Sequence, residues 1–201
     1  MKTVLAYGDS LTWGYDPVNL GRHAHEDRWT SVLQKALGHG VRVIAEGLNG
    51  RTTAYDDHLG DCERNGVKLL PTILATHKPI DLVIFLLGTN DMKRGIGGSA
   101  IAATKGIDRL IKLVRHHDWG FGYEGPDILL VSPPAICETA SRSSKCFVHR
   151  KSKARRTFAA LHRMRKGRAV VEHLPTVPTN IRSSRCVCLR FSSASRQTIA
   201  A

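Results

Sequence analysis

The sequence predicts an α/β protein built on a parallel sheet with helices on both faces. Three observations carry that reading. Apolar runs alternate with amphipathic stretches through the first 140 residues. The runs are rich in Val, Ile and Leu, as in strands buried on both faces. Three of them stop at small or polar residues, and in such folds ligands bind beyond the carboxyl ends of the strands.

The elements follow in order. "KTVLAY" (2–7) reads as a buried strand. "RWTSVLQKAL" (28–37) sets Trp29, Val32, Leu33, Ala36 and Leu37 at the spacing of an amphipathic helix, with Gly38 as its stop. "VRVIAE" (41–46) is a second strand. "GVKLLPTILATH" (66–77) is read as helical around or after Pro71. "IDLVIFLL" (80–87) is the clearest buried strand. "SAIAATKGIDRLIKLVRHH" (99–117) carries a stripe of Ile101, Thr104, Ile107, Leu110, Ile111 and Val114. "DILLVS" (127–132) is a fourth strand, closed by Pro133 and Pro134. Past Ala140 the pattern degrades. There "RTFAALHRMRKG" (156–167) suits a short helix and "RAVVEHL" (168–174) a short strand, and nothing recurs after Pro175.

At 201 residues the chain fits one domain with a real core. No apolar run approaches the ~18 residues of a membrane span. The opening "MKTVLAYGDS" reads as a first strand and not as a signal peptide, so a cytoplasmic protein is expected. The five cysteines show no paired metal-ligand spacing and are read as reduced thiols; no metal is expected. The net charge of +13 is unevenly placed. Residues 141–201 hold eleven Arg, four Lys and a single acid, Glu172, whereas residues 1–140 hold 15 basic and 16 acidic residues.

The strand ends carry the chemistry. The first runs into "GDSLTWG", the second into "EGLNGRTT" and the third into "GTNDMK". A serine hydroxyl attacks a carbonyl when a base takes its proton, and the resulting oxyanion needs two or three fixed donors. Ser10 N–H, Gly50 N–H and the Asn90 side-chain amide are candidates for those donors. Each residue also has a plainer reading. Ser10 suits a helix cap, Gly47 and Gly50 a turn, Asn90 an Asx turn and Asp91 a helix cap. Trp13 suits core packing.

The blocks "GDSLTWG", "EGLNGRTT", "LATHKPIDLVIFLLGTND" and "LLVSPP" resemble, in that order, the SGNH or GDSL hydrolases, most closely the bacterial arylesterase/acyltransferase branch. The resemblance covers about residues 1–140. It implies a flavodoxin-like three-layer α/β/α sandwich, incomplete at its C-terminal end. It implies Ser10 as nucleophile, an oxyanion hole of Ser10, Gly50 and Asn90, and Asp9 and Trp13 beside the substrate. Small carboxylic esters would be the substrates, with water or an alcohol accepting the acyl group. It implies no cofactor, no metal and a homo-oligomer.

One departure stands out. The family's base lies in an Asp-x-x-His block near the C-terminus. No Asp in this chain has a His three residues on, and the last Asp is Asp127. His173, after Glu172, is the least poor substitute among His58, His77, His116, His117, His149, His162 and His173. Its cationic surroundings lower an imidazole pKa and offer no carboxylate to orient it. A slipped reading frame accounts best for the loss of acids and the rise of Arg, Ser and Cys past Ala140. A nucleic-acid arm is expected less, because only Phe147, Phe158 and Phe191 interleave the charges. The third account is a divergent C-terminal structure that completes the sandwich.

Overall fold

The computed structural model describes residues 1–134 and a strand at residues 169–172. Strand β1 (Lys2–Gly8) leads into a one-turn helix α1 (Ser10–Trp13) and a small hairpin, β2 (Tyr15–Asp16) and β3 (Gly21–Arg22). Helix α2 (Trp29–Leu37), strand β4 (Val41–Gly47), helix α3 (Gly66–His77) and strand β5 (Leu82–Leu86) follow. Then come helix α4 (Ala100–Arg115), strand β6 (Asp127–Val131) and strand β7 (Ala169–Glu172).

The main sheet has five strands in the order β4-β1-β5-β6-β7, and every pairing in it is parallel. Counted along the chain, that is the 2-1-3-4-5 order of the flavodoxin-like fold. The order reverses between β1 and β5, so the crevice for a ligand opens above those two strands. The register sets their ends level: Gly8 pairs with Gly47 on one side and with Leu86 on the other.

The core forms by alternation. Leu5 and Tyr7 of β1, Val83 and Phe85 of β5, and Ile128 and Leu130 of β6 are buried on one face. They meet Leu70 and Leu74 of α3 and Ile107, Leu110, Ile111 and Val114 of α4. Tyr7 and Phe85 meet edge to face, with ring centroids 6.0 Å apart. Helix α2 packs against β4, and α3 against α4.

The expected strands and the helices at 28–37 and 99–117 form within a residue or two of their expected limits. The short strand expected within 168–174 is β7, parallel to β6 at the far edge. The helix expected at 156–167 lies outside the described residues. Helix α3 differs from expectation by running straight through Pro71. Asn65 makes the early start possible, because its side chain accepts the Val67 N–H at 3.1 Å. The β2–β3 hairpin was not expected; only two residues pair on each side, too few for a period-2 pattern to show.

Candidate active site

The sequence places Ser10, Gly50 and Asn90 two, three and four residues beyond the level ends of β1, β4 and β5. Backbone packing fixes the first of these positions. A Cβ on Gly8 would lie 2.0 Å from Thr12 Oγ1 and 2.9 Å from the Leu86 carbonyl. A Cβ on Gly47 would lie 2.2 Å from the Trp13 nitrogen. Helix α1 therefore sits directly on the backbones of both neighbouring strand ends. No side chain fits between them.

Asp9, and not Ser10, caps α1. Its Oδ1 accepts the Leu11 N–H at 3.0 Å. That leaves the Ser10 hydroxyl free of a capping duty at the first position of the helix. The Ser10 N–H has no acceptor among the described residues, as expected of a first-turn amide. The Gly50 N–H likewise has none, and Gly50 adopts a φ of +80°, a conformation open to glycine at little cost.

Asn90 is 6% exposed and opens a short 3-10 turn after β5. One of its amide hydrogens goes to the Arg51 carbonyl at 3.0 Å. A side-chain amide carries two donors, and the second has no acceptor among the described residues. The bond ties the third strand end to the loop that carries Gly50. Trp13 stands one turn from Ser10, so both lie on one side of α1. The Arg22 guanidinium lies 4.5 Å from the Trp13 ring centroid, and its Nε donates to the Trp13 carbonyl at 2.7 Å.

Three buried residues lie beneath these loops; Arg51 and Thr53 were not singled out from the sequence, and Asp91 was read as a helix cap. Arg51 donates through Nη1 to the carbonyls of Gly8, at 3.1 Å, and Glu46. Thr53 gives its N–H (3.0 and 3.1 Å) and its hydroxyl (2.5 Å) to the Asp91 carboxylate. Asp91 is thus no helix cap; it is the acceptor that anchors the Gly50 loop under β5. The signal was present in "GRTT" after the strand: a cation and two hydroxyls that stay buried need partners across the fold.

Burial sets the electrostatics. The Asp9 carboxyl is pushed up to about 7, chiefly by burial, with the Leu11 bond opposing, the Asp91 charge adding and the Arg51 charge opposing. Among the described residues its Oδ2 has no hydrogen-bond partner, which leaves the charged form poorly solvated. Asp91 is raised by burial, against the Thr53 donors. Burial raises the Tyr7 phenol and lowers the Arg51 guanidinium from their ordinary values.

Among the described residues no histidine bonds to Ser10. His77 Nε2 lies 3.0 Å from Glu46 Oε1, His116 Nδ1 meets the Lys112 carbonyl at 2.7 Å, and His117 packs edge-on against Trp119. His149, His162 and His173 lie outside the described residues. So the structure brings the proposed attacking group and donors to one edge of the sheet, and among the described residues no histidine stands bonded to them. Among the described residues there is no group of three His, Cys, Asp or Glu able to hold a metal ion, and no helix is long and apolar enough to cross a membrane.

Comparison with known proteins identifies the family and the fold. Residues 6–182 match the model of the GDSL-like Lipase/Acylhydrolase family. A carbohydrate acetylesterase family member from Sinorhizobium meliloti superposes with a TM-score of 0.79 at 57% identity, over 85% of this chain and 83% of that one. The inhibitor-bound aryl esterase of M. smegmatis superposes with a TM-score of 0.76 at 35% identity, over 85% and 84%. Esterase TesA of Pseudomonas aeruginosa is 34% identical over 98 residues, which are 47% of this chain and 40% of that protein. The aligned part thus spans less than half of that curated relative. With most of its length matched by the family model, this chain belongs to the GDSL-like lipase/acylhydrolase family.

Proposed function

We propose that the chain hydrolyses small carboxylic esters at Ser10, holding the oxyanion on Ser10 N–H, Gly50 N–H and the Asn90 amide. Membership of the family makes it an SGNH-type carboxylic-ester hydrolase by descent. The observation that carries the finer reading is the pair of free backbone N–H groups beside a half-engaged Asn90 amide. Relatives described as a carbohydrate acetylesterase and as an aryl esterase point to acetates of sugar or aryl alcohols.

The chemistry runs in two steps. Ser10 Oγ attacks the acyl carbon and gives up its proton, and the carbonyl oxygen takes the charge onto the three donors. The alcohol leaves with a proton, and the acyl group stays on Ser10. Water then attacks the acyl-enzyme and releases the acid; an alcohol in its place gives acyl transfer. Trp13 flanks the substrate, while Asp9, expected beside it, is fully buried and holds the start of α1.

The missing Asp-x-x-His makes this turnover slow. Donors and binding alone still sustain ~10³–10⁴-fold catalysis over water when a triad member is removed. The test is hydrolysis of an aryl acetate by the chain and by Ser10→Ala. A lower rate for the variant supports the assignment, and equal rates overturn it. A read of the gene across codons 135–150 tests the boundary at residue 140, since one inserted or deleted base there would explain the lost block. The same reading makes the protein a cytoplasmic homo-oligomer, and light scattering on the purified chain measures its mass.

The basic segment favours a second reading, an inactive scaffold that binds nucleic acid through residues 141–201. It predicts no Ser10 labelling by a fluorophosphonate, and affinity that falls steeply with salt.

A further inference from the structure

We propose that Arg51 is a positioning residue, whose buried guanidinium and backbone hold the Gly50 and Asn90 donors in register with Ser10. The inference rests on the reading of Ser10, Gly50 and Asn90 as the reacting set.

Arg51 is 3% exposed. Taking a guanidinium out of water costs several kcal/mol unless good bonds replace hydration. Its partners reveal what that position accomplishes. Nη1 donates to Gly8, the last residue of β1 before Asp9 and Ser10, and to Glu46 near the end of β4. The guanidinium carbon lies 4.2 Å from the centroid of the Tyr7 ring, and the Tyr7 hydroxyl donates to the Gly66 carbonyl at 2.9 Å. The Arg51 N–H donates to the Leu48 carbonyl at 3.1 Å, and its own carbonyl accepts the Asn90 amide at 3.0 Å. One residue thus bonds all three strand ends that carry the proposed chemistry.

Two consequences follow from this geometry. The two peptide groups that flank Arg51 are each held, the one after Gly50 by Leu48 and the next by Asn90, and so the chain leaving Gly50 keeps one course. No carboxylate among the described residues lies within ion-pair distance of the guanidinium. Its hydrogen bonds go to carbonyls and its face to an aromatic ring, while its charge also acts on the buried Asp9 and on Glu46.

The side chain bonds both carbonyls through one nitrogen, so a lysine ammonium can partly replace it, whereas methionine cannot. The experiment compares the full chain with R51M, R51K and N90A on an aryl acetate. The expected result is kcat lowered about 10²-fold in R51M, near the loss of one oxyanion donor, with KM within about threefold. R51K recovers part of that loss, and R51M/N90A is within about threefold of N90A alone. A KM rise at constant kcat, no recovery in R51K, or fully additive losses would each overturn the proposal. A second measurement needs no Arg51 variant. The Asn90 side-chain amide, assigned by its loss in N90A, exchanges slowly with solvent if Arg51 holds it. Fast exchange of both hydrogens would overturn the proposal. If Ser10→Ala leaves the rate unchanged, the esterase reading falls instead, and the amide exchange alone decides the role of Arg51.

Discussion

Replacing Asp9 by Asn isolates the charge of the most deeply buried carboxyl at the site. Asn caps a helix as well as Asp does, so the bond from Leu11 N–H to Oδ1 survives the change. What changes is Oδ2, the oxygen without a partner. Burial raises the Asp9 carboxyl from 3.8 to about 7. Each unit of that shift is worth about 1.4 kcal/mol, which gives an upper figure of about 4 kcal/mol. The sign follows from the direction. Between about pH 4 and pH 7 the folded chain keeps a proton that the unfolded chain has released. The stabilisation is complete below about pH 4, falls by about 1.4 kcal/mol per unit through the window, and is gone above about pH 7.

Asp9→Asn has no such proton to lose. Its unfolding free energy relative to the parent should therefore rise by roughly 3 kcal/mol from about pH 5 to pH 7, then level off. Asp91 is raised in the same direction but titrates in both proteins, so it largely cancels in the difference. Urea unfolding, followed by tryptophan fluorescence at about pH 5, 6, 7 and 8, measures that difference. A gap that stays constant across the series would mean an ionised Asp9 throughout, and would refute the reasoning. The result also bears on catalysis, because an ionised Asp9 places negative charge one residue from the nitrogen meant to hold an oxyanion.

Three other changes test the packing that sets the site. Gly47→Ala forces a Cβ to within 2.2 Å of the Trp13 nitrogen, so α1 must move; a displacement near 1 Å should cost about 10²-fold in kcat for aryl acetate, measured beside a melting curve. Gly106→Ala drives a Cβ to 1.7 Å from Thr53 Oγ1 and disturbs the Thr53–Asp91 bonds; thermal unfolding should show a loss of about 1–3 kcal/mol. Leu74→Ala empties a fully buried position between α3 and the sheet; denaturant unfolding should show a loss of about 2–5 kcal/mol.

The β-α alternation was legible because its signals are local and strong. "IDLVIFLL" is apolar throughout because β5 is central, and the stripe in α4 repeats because one face meets the core. Helix α3 was harder, because a proline argues locally against helix while Leu70 and Leu74 bury in the core and win. Within the site, Ser10, Gly50 and Asn90 were legible as residues at strand ends, but their roles rested on resemblance. Asp9 was missed as the cap because Asp and Ser are near equals at that position, and only the backbone turn decides between them. Arg51 and Thr53 were missed, and Asp91 was read as a helix cap, for another reason: their partners lie 38 to 43 residues away in sequence. Such pairings show only once the strands are laid side by side.

The arrangement divides the requirements of acyl transfer in a way that explains the chain's odd composition. The proposed anion cradle draws, among the described residues, on backbone groups and side chains that precede residue 92. Those parts are held by the strand register, by Gly8 and Gly47, and by Arg51. Of the basic segment the described part is β7, which pairs with β6 at the far edge of the sheet. A base differs in kind. It must come from a loop that reaches the crevice from outside, and it needs a carboxylate to orient it. On the proposed reading, the basic segment can change heavily in sequence and leave the cradle intact, while the loss of both Asp and a paired His would slow Ser10. Rescue by an external base separates the two cases. Imidazole added to the parent chain should accelerate aryl acetate hydrolysis beyond its effect on Ser10→Ala if the cradle is formed and only the base is missing. Equal acceleration of the two would show that the cradle itself is not formed.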